Sequence, residues 1–221
     1  MNTLTKFVLG KMGAPRPTPP LGDAPRQILL PPPSREGGMA LAAALSTRRS
    51  ERRFARTALP TQTLSDLLWA ADGMNRGGAG RTAPSALDAQ DVIVYAALAR
   101  GAYRYDAREH VLQLVAGTDV RRVTGYQDFV DDAPLDLVYV HQERPLSPVS
   151  VLQRTPYAYA SAGAMAQNVY LFCAANGLGC VLRAWIDRDA VAQALGLAHN
   201  EHVLLSQTVG YPLDGPVGAD D

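Results

Sequence analysis

The chain is poor in most features that settle a protein's class on sight. It has two cysteines, Cys173 and Cys180, in 221 residues. They form no Cys-x-x-Cys pair, so a disulfide framework is not expected and both should be free buried thiols. No apolar run approaches the roughly 20 residues that span a bilayer. Residues 1–13 carry Lys6 and Lys11 around too few apolar side chains for a signal-peptide core, so a cytoplasmic protein is expected. Neither charge prevails, because 21 basic and 21 acidic side chains cancel. A general nucleic-acid or anionic-membrane surface needs a basic excess, so neither partner is expected. Also missing are the Gly-x-Gly-x-x-Gly pyrophosphate turn and the Gly-x-Ser-x-Gly hydrolase elbow. Gly77 to Thr82 resembles a phosphate loop superficially but lacks Gly-Lys-Ser/Thr. His199 and His202 flank Glu201, but no metal site is expected there.

What is present suits one domain with an extension. The apolar fraction of 47% supports a sizeable core. Residues 14–33 hold eight of the sixteen prolines, and proline removes backbone donors. We therefore expect a Pro-rich arm over 1–38, a folded domain over 39–213 and a short acidic tail over 214–221. The arm is either a disordered leader or lies across a partner subunit, with Gln27 to Leu30 as the apolar patch to be covered.

Periodicity predicts helices at 40–47, from Thr61 onward, at 119–124, 156–176 and 187–195. Thr61 is the expected N-cap of the second, and Gly177 the left-handed glycine that ends the long one. Strands are expected at 92–98, 135–141, 180–186 and 203–209. Residues 102–105 and 110–115 read as a hairpin, and the four-glycine stretch 73–81 as a loop. Strands and helices in this order indicate an α+β fold around one sheet. Ala158, Ser161, Ala162 and Ala166 would let another helix approach closely.

The densest chemistry lies at Arg48-Arg49-Ser50-Glu51-Arg52-Arg53-Phe54. Five basic or hydroxyl side chains in six positions either bind an anion or form a solvated helix end. Phosphate is the natural guest, since guanidinium forks match its oxygens two at a time. A second segment, Pro84-Ser85-Ala86-Leu87-Asp88-Ala89-Gln90, follows about thirty residues later.

These segments resemble signatures of the flavin-dependent nitroreductase superfamily, Arg-Arg-Ser-x-Arg-x-Phe and Pro-Ser-x-x-Asn-x-Gln. Residues 31–38, 67–71, 80–86 and 103–106 further resemble the SagB-type dehydrogenase branch. The resemblance implies a central, mostly antiparallel sheet flanked by helices in an intertwined homodimer, with the long helix at the seam. It implies an FMN-dependent oxidoreductase. Hydride would pass through flavin N5 from NAD(P)H or an organic donor to a nitro compound, quinone or azoline-type ring. The alternative is a non-catalytic flavin-fold subunit of a modification system.

By the same resemblance, Arg48 and Arg49 would meet the FMN phosphate and Ser50 the phosphate or ribityl chain. Arg52 would lie near N1 and the C2 carbonyl. Pro84, Ser85, Ala86, Asp88 and Gln90 would approach the flavin ring from the other subunit. Asp88 departs from the usual Asn, and a carboxylate does not donate unless protonated. Leu182, Arg183 and Ala184 align with the strand whose backbone N–H meets N5. Arg183 stands among apolar neighbours and needs an anion. That anion is either a phosphate or substrate carboxylate, or a structural partner in Asp187 or Asp189. Tyr126 and Phe129 either shape a substrate pocket or simply pack. No basic residue follows Gly210-Tyr211-Pro212, where many nitroreductases hold the phosphate, and the Lys-Tyr pair of azoline oxidases is not recognisable.

Overall fold

The computed structural model describes residues 22–144 and 150–213. Strands β1 (Gln27–Leu29), β4 (Val92–Leu98), β5 (Gly101–Asp106), β6 (Val111–Ala116), β7 (Leu135–Gln142), β8 (Gly179–Arg183) and β9 (Glu201–Gly210) form one sheet. Its order is β1-β6-β5-β4-β7-β9-β8, and every named pairing is antiparallel. Helices α1 (Leu41–Thr47), α2 (Thr61–Asp72), α3 (Val151–Ala175) and α4 (Arg188–Leu195) complete an α+β fold.

Strand alternation divides the core. Val92, Val94 and Ala96 of β4 join Leu135, Leu137 and Tyr139 of β7 under α2 and α3. The intervening Ile93, Tyr95 and Ala97 join Val138 and Val140, with Val191 and Leu195 of α4, on the opposite face. β4 is thus buried on both faces, and its residues read as a continuous apolar run.

The small-residue stripe of α3 admits another helix as expected, and that helix is α2 of the same chain. Ala158, Ser161, Ala162 and Ala166 are buried within the chain's own core, where α3 crosses α2. Large apolar side chains left exposed on these helices include Leu152 and Tyr157 of α3 and Leu41 and Leu45 of α1. Helix α3 also begins earlier than expected, at Val151 rather than Pro156. Pro156 removes only one N–H, near the N-terminus, and the carbonyl this frees belongs to Leu152, an exposed residue.

Other local differences are small. Residues 73–81 form a tight hairpin, β2 (Met74–Asn75) against β3 (Gly80–Arg81), rather than a plain loop. The expected helix at 119–124 is one 3₁₀ turn, Arg121–Val123. Helix α2 starts at Thr61, but with Pro60 in the cap position and no side-chain cap bond. Gln27–Leu29 is not a disordered leader: it pairs with β6 of its own chain. Ile28 and Leu30 are buried there, whereas Leu29 points outward. The acidic tail 214–221 and residues 1–21 of the arm lie outside the described residues.

Candidate active site

The basic segment is stitched to the open edge of β8. Ser50 bridges Cys180 in parallel, the Glu51 N–H donates to the Cys180 carbonyl at 3.0 Å, and Phe54 bridges Pro212. Glu51 folds back, its carboxylate accepting from the N–H groups of Arg52 and Arg53 at 2.8 Å each. This fit needs Gly179, since a Cβ there would lie 2.6 Å from the Glu51 side chain. With Glu51 turned inward, Arg49 and Arg52 remain exposed and Arg48 half-buried.

Tyr170, which sequence reasoning missed, gathers three of the expected residues. Its hydroxyl accepts from the Leu182 N–H at 2.9 Å and hydrogen-bonds Ser50 Oγ at 2.9 Å. The Arg48 guanidinium lies over its ring, 5.2 Å from the centroid. On the helical stripe Ala166, Val169, Tyr170, Cys173 it reads as one more core residue, and nothing local marks it. Cys173 and Cys180 are free, buried thiols against this floor. Burial pushes the Cys173 thiol well above its ordinary pKa, which makes it inert. Antiparallel alternation sends the N–H of Leu182, and next that of Ala184, out of the sheet edge; Arg183 faces β9.

The Arg183 side chain is spoken for, though not by Asp187 or Asp189. It is 5% exposed, and its guanidinium donates to Asp136 at 2.8 Å, to the Thr124 carbonyl at 2.6 Å and to Thr208 at 2.8 Å. Thr208 also donates to Asp136. Burial lifts Asp136 to about 6 against the pull of Arg183. This pair ties the 120s segment to the sheet. Phe129 packs on Phe54 with ring centroids 5.8 Å apart, and Tyr126 meets the partly exposed Trp185 at 5.3 Å. Phe129 therefore packs, while the Tyr126–Trp185 pair shapes the surface beyond β8. Trp185 is a second residue that sequence reasoning missed.

The second segment sits elsewhere. Gln90 N–H donates to Ser85 Oγ at 3.0 Å, and Gln90 Nε2 donates to Asp88 Oδ1 at 2.9 Å. Arg81 Nε donates to the Gln90 side-chain Oε1 at 3.2 Å, and Arg81 Nη1 reaches the Asp72 carboxylate at 3.4 Å. Leu87, Asp88 and Gln90 have φ of 52°, 53° and 47°, the left-handed region that non-glycine residues rarely occupy. Pro84 is exposed, and Ser85 and Ala86 half-buried.

Strand register separates the two patches. Leu98, Leu135, Val209 and Cys180 lie in one row across the sheet, and Ser50 bridges its end. Val92, His141 and His202 lie in another, beyond which comes Gln90. Six residues of β7 separate the rows, roughly 20 Å at the usual rise of a strand. The structure does not bring the two segments together within one chain.

The α+β chain thus presents a basic segment pinned by backbone bonds to the edge of its sheet. Comparison makes the class specific. Residues 45–211 match the Nitroreductase family, and the chain belongs to it. A crystal structure of a nitroreductase-family protein from Ralstonia eutropha JMP134 shares 46% identity over 89% of this chain and 94% of that one, with a TM-score of 0.84. A nitroreductase-family protein of Methanocaldococcus jannaschii is 27% identical over 77% of this chain and 90% of its own. The NADPH:FMN oxidoreductase of Vibrio harveyi shares the fold at 21% identity, with a TM-score of 0.60 over 82% of this chain and 72% of its own.

Proposed function

We propose that the chain is an FMN-dependent oxidoreductase acting as a homodimer, with each flavin held between two subunits. The observation that carries this reading is the meeting of Arg48, Ser50 and Leu182 on Tyr170. It puts a guanidinium and a hydroxyl suited to phosphate beside the edge of β8, whose next outward N–H after Leu182 is that of Ala184. That donor set suits a long, polar-tailed ligand lying along β8. The separation of the two patches supports the dimer, since residues 84–90 can reach the same ligand only from a second copy. The outward apolar side chains of α1 and α3 suit such a seam.

FMN, when bound, supplies reversible acceptance of a hydride at N5. The protein's part is binding, orientation and electrostatics. Arg48 and Arg49 would hold the phosphate and Ser50 the phosphate or ribityl chain. Arg52 would place a fixed positive charge beside the pyrimidine edge, where negative charge gathers on reduction, without reorganising. The edge N–H groups of residues 182–184 would face N5. We assign this last role to Ala184 first, because the Leu182 N–H is donated to Tyr170. Pro84, Ser85, Ala86, Asp88 and Gln90 would cover the ring from the partner.

NAD(P)H is the proposed donor, and a nitro compound, quinone or azoline-type ring the acceptor. Placement in the SagB-type branch rests on residues 31–38, 67–71, 80–86 and 103–106. A cytoplasmic location is part of the same reading; among the described residues no helix is long and apolar enough to cross a membrane.

The test begins with colour. Purified protein should be yellow, release flavin that migrates as FMN rather than FAD, and be bleached by NADH or NADPH. Sedimentation should show a dimer that loses flavin on dissociation. Colourless protein that rejects added FMN would sink this reading and favour the non-catalytic alternative.

A further inference from the structure

Beside the 84–90 loop lies an open cleft of about 410 Å³, bounded on its far side by the β2–β3 hairpin. That volume lies within the range of small-molecule sites. Its polar groups are mostly donors. The Arg76 side chain folds over its own hairpin so tightly that a Cβ on Gly80 would lie 1.8 Å from the Arg76 guanidinium. Arg76 has no ion-pair partner among the described residues. Arg81 spends Nε on Gln90 and Nη1 on Asp72, and no hydrogen bond among the described residues uses its Nη2. Ser85 Oγ accepts from the Gln90 N–H, so its own proton is left to donate into the cleft. Thr82 is turned away, donating to the Trp69 carbonyl. Among the described residues two acidic groups meet these donors. Asp72 pairs with Arg81 and is absent from the cleft lining. Asp88 lines the cleft, and its Oδ1 accepts from Gln90 Nε2.

The backbone around the cleft is strained. Five non-glycine residues among those described have positive φ; two of them, Arg76 and Asp88, line this cleft, and Leu87 and Gln90 flank Asp88 on its loop. Each such residue is strained and persists only where the surroundings hold it, commonly at ligand clamps. At Arg76 the left-handed turn continues through Gly77 and Gly78 and returns the guanidinium to the cleft wall.

We propose that this cleft is an anion subsite, in which Arg76, Arg81 and Ser85 hold the carboxylate or phosphate of a small molecule. Two guanidinium groups fork onto such an oxyanion, and the serine O–H donates a third bond. Asp88 repels anions that approach from its side and confines the charged end to the Arg76 wall. That the ligand's other end lies over a flavin rests on the function proposed above; the anion chemistry of the cleft does not. The oxyanion belongs either to the electron acceptor, as a ring carboxylate, or to the donor, as a dinucleotide phosphate.

Calorimetric titration of the purified protein with benzoate, benzyl alcohol, NADP⁺ and NAD⁺ reads the subsite without turnover. At least one anion should bind wild-type protein and weaken tenfold or more in Arg76→Gln, with Arg76→Lys intermediate and benzyl alcohol indifferent. Loss confined to benzoate assigns the subsite to the acceptor; loss confined to NADP⁺ assigns it to the donor phosphate. Loss on both dinucleotides assigns it to their shared pyrophosphate. Equal binding of every probe by wild type and Arg76→Gln overturns the subsite, as does wild-type protein that binds none of the anions. Protein that rejects FMN yet loses anion binding in Arg76→Gln overturns the flavin reading and leaves the anion subsite standing.

Discussion

Each half of the candidate site rests on a buried arginine–aspartate pair, and the two pairs are built differently. Under the β8 edge, Arg183 meets Asp136 at 2.8 Å, and threonines add bonds to both partners. Under the 84–90 loop, Arg81 meets Asp72 at 3.4 Å and spends its other bonds on Gln90 and a backbone carbonyl. The first pair ties the 120s segment to the sheet, and the β8 edge beside it is itself pinned to Ser50 and Glu51 by backbone contacts. The second reaches through one glutamine to a loop in left-handed conformation. A sheet edge gains its order from the ladder beside it, whereas a strained loop depends on each side chain that holds it.

The largest expected effect tests the stronger pair. Arg183→Met should cost about 3–5 kcal/mol in urea unfolding, because it leaves a fully buried carboxylate without its counter-charge. Replacing Asp136 by leucine in the same chain should recover most of that loss. No recovery would mean that Arg183 matters through its bonds to Thr124, not through the charge pair.

The weaker pair should reveal itself through pH. Burial raises Asp72 to about 7, with the nearby Arg81 only partly opposing it. In the unfolded chain the same carboxyl releases its proton near pH 4. Its contribution to stability is thus full below about pH 4, falls as pH rises to about 7, and is constant above. The total change is on the order of a few kcal/mol. Unfolding measured at several pH values should show this slope reduced in Asp72→Asn; an unchanged slope would reject a raised Asp72.

Within the basic segment, Arg48→Ala should weaken FMN binding by about 1.5–3 kcal/mol, as for a lost charged partner, with activity restored by excess FMN. Arg52→Ala should instead make the flavin's midpoint potential more negative and stay slow at saturating FMN. An unchanged potential would reject the role given to Arg52. The smallest effect belongs to the loop. Leu87→Gly relieves a left-handed leucine and should stabilise the fold by about 1 kcal/mol. Flavin affinity should fall at the same time, because the loop is less confined. A destabilised variant would show that Leu87 is held by packing and carries little strain.

Much of this was legible in the residues. The apolar runs of β4 and β7 and the Gly177 stop of α3 needed only local propensity and burial. The anion-binding character of residues 48–52 followed from side-chain type, because guanidinium groups crowded beside a serine have few other uses. Arg183 was recognisable as a buried cation needing a partner. Its partner was not, since Asp136 lies 47 residues away on a strand that reads as ordinary alternation.

What sequence alone determined about this protein is what short-range chemistry decides: helix and strand positions, the basic segment and the likeness to a flavin-binding family. Tertiary structure decided what depends on register. Only the strand order places Cys180 beside Ser50 and puts Gln90 roughly 20 Å along the sheet from that row. Only the packing of α3 brings the Tyr170 hydroxyl between Ser50 and Leu182. Only the hairpin folds Arg76 against Gly80. A side chain's type is local, but its partner is chosen by contacts between residues far apart in the chain, which periodicity and composition do not encode.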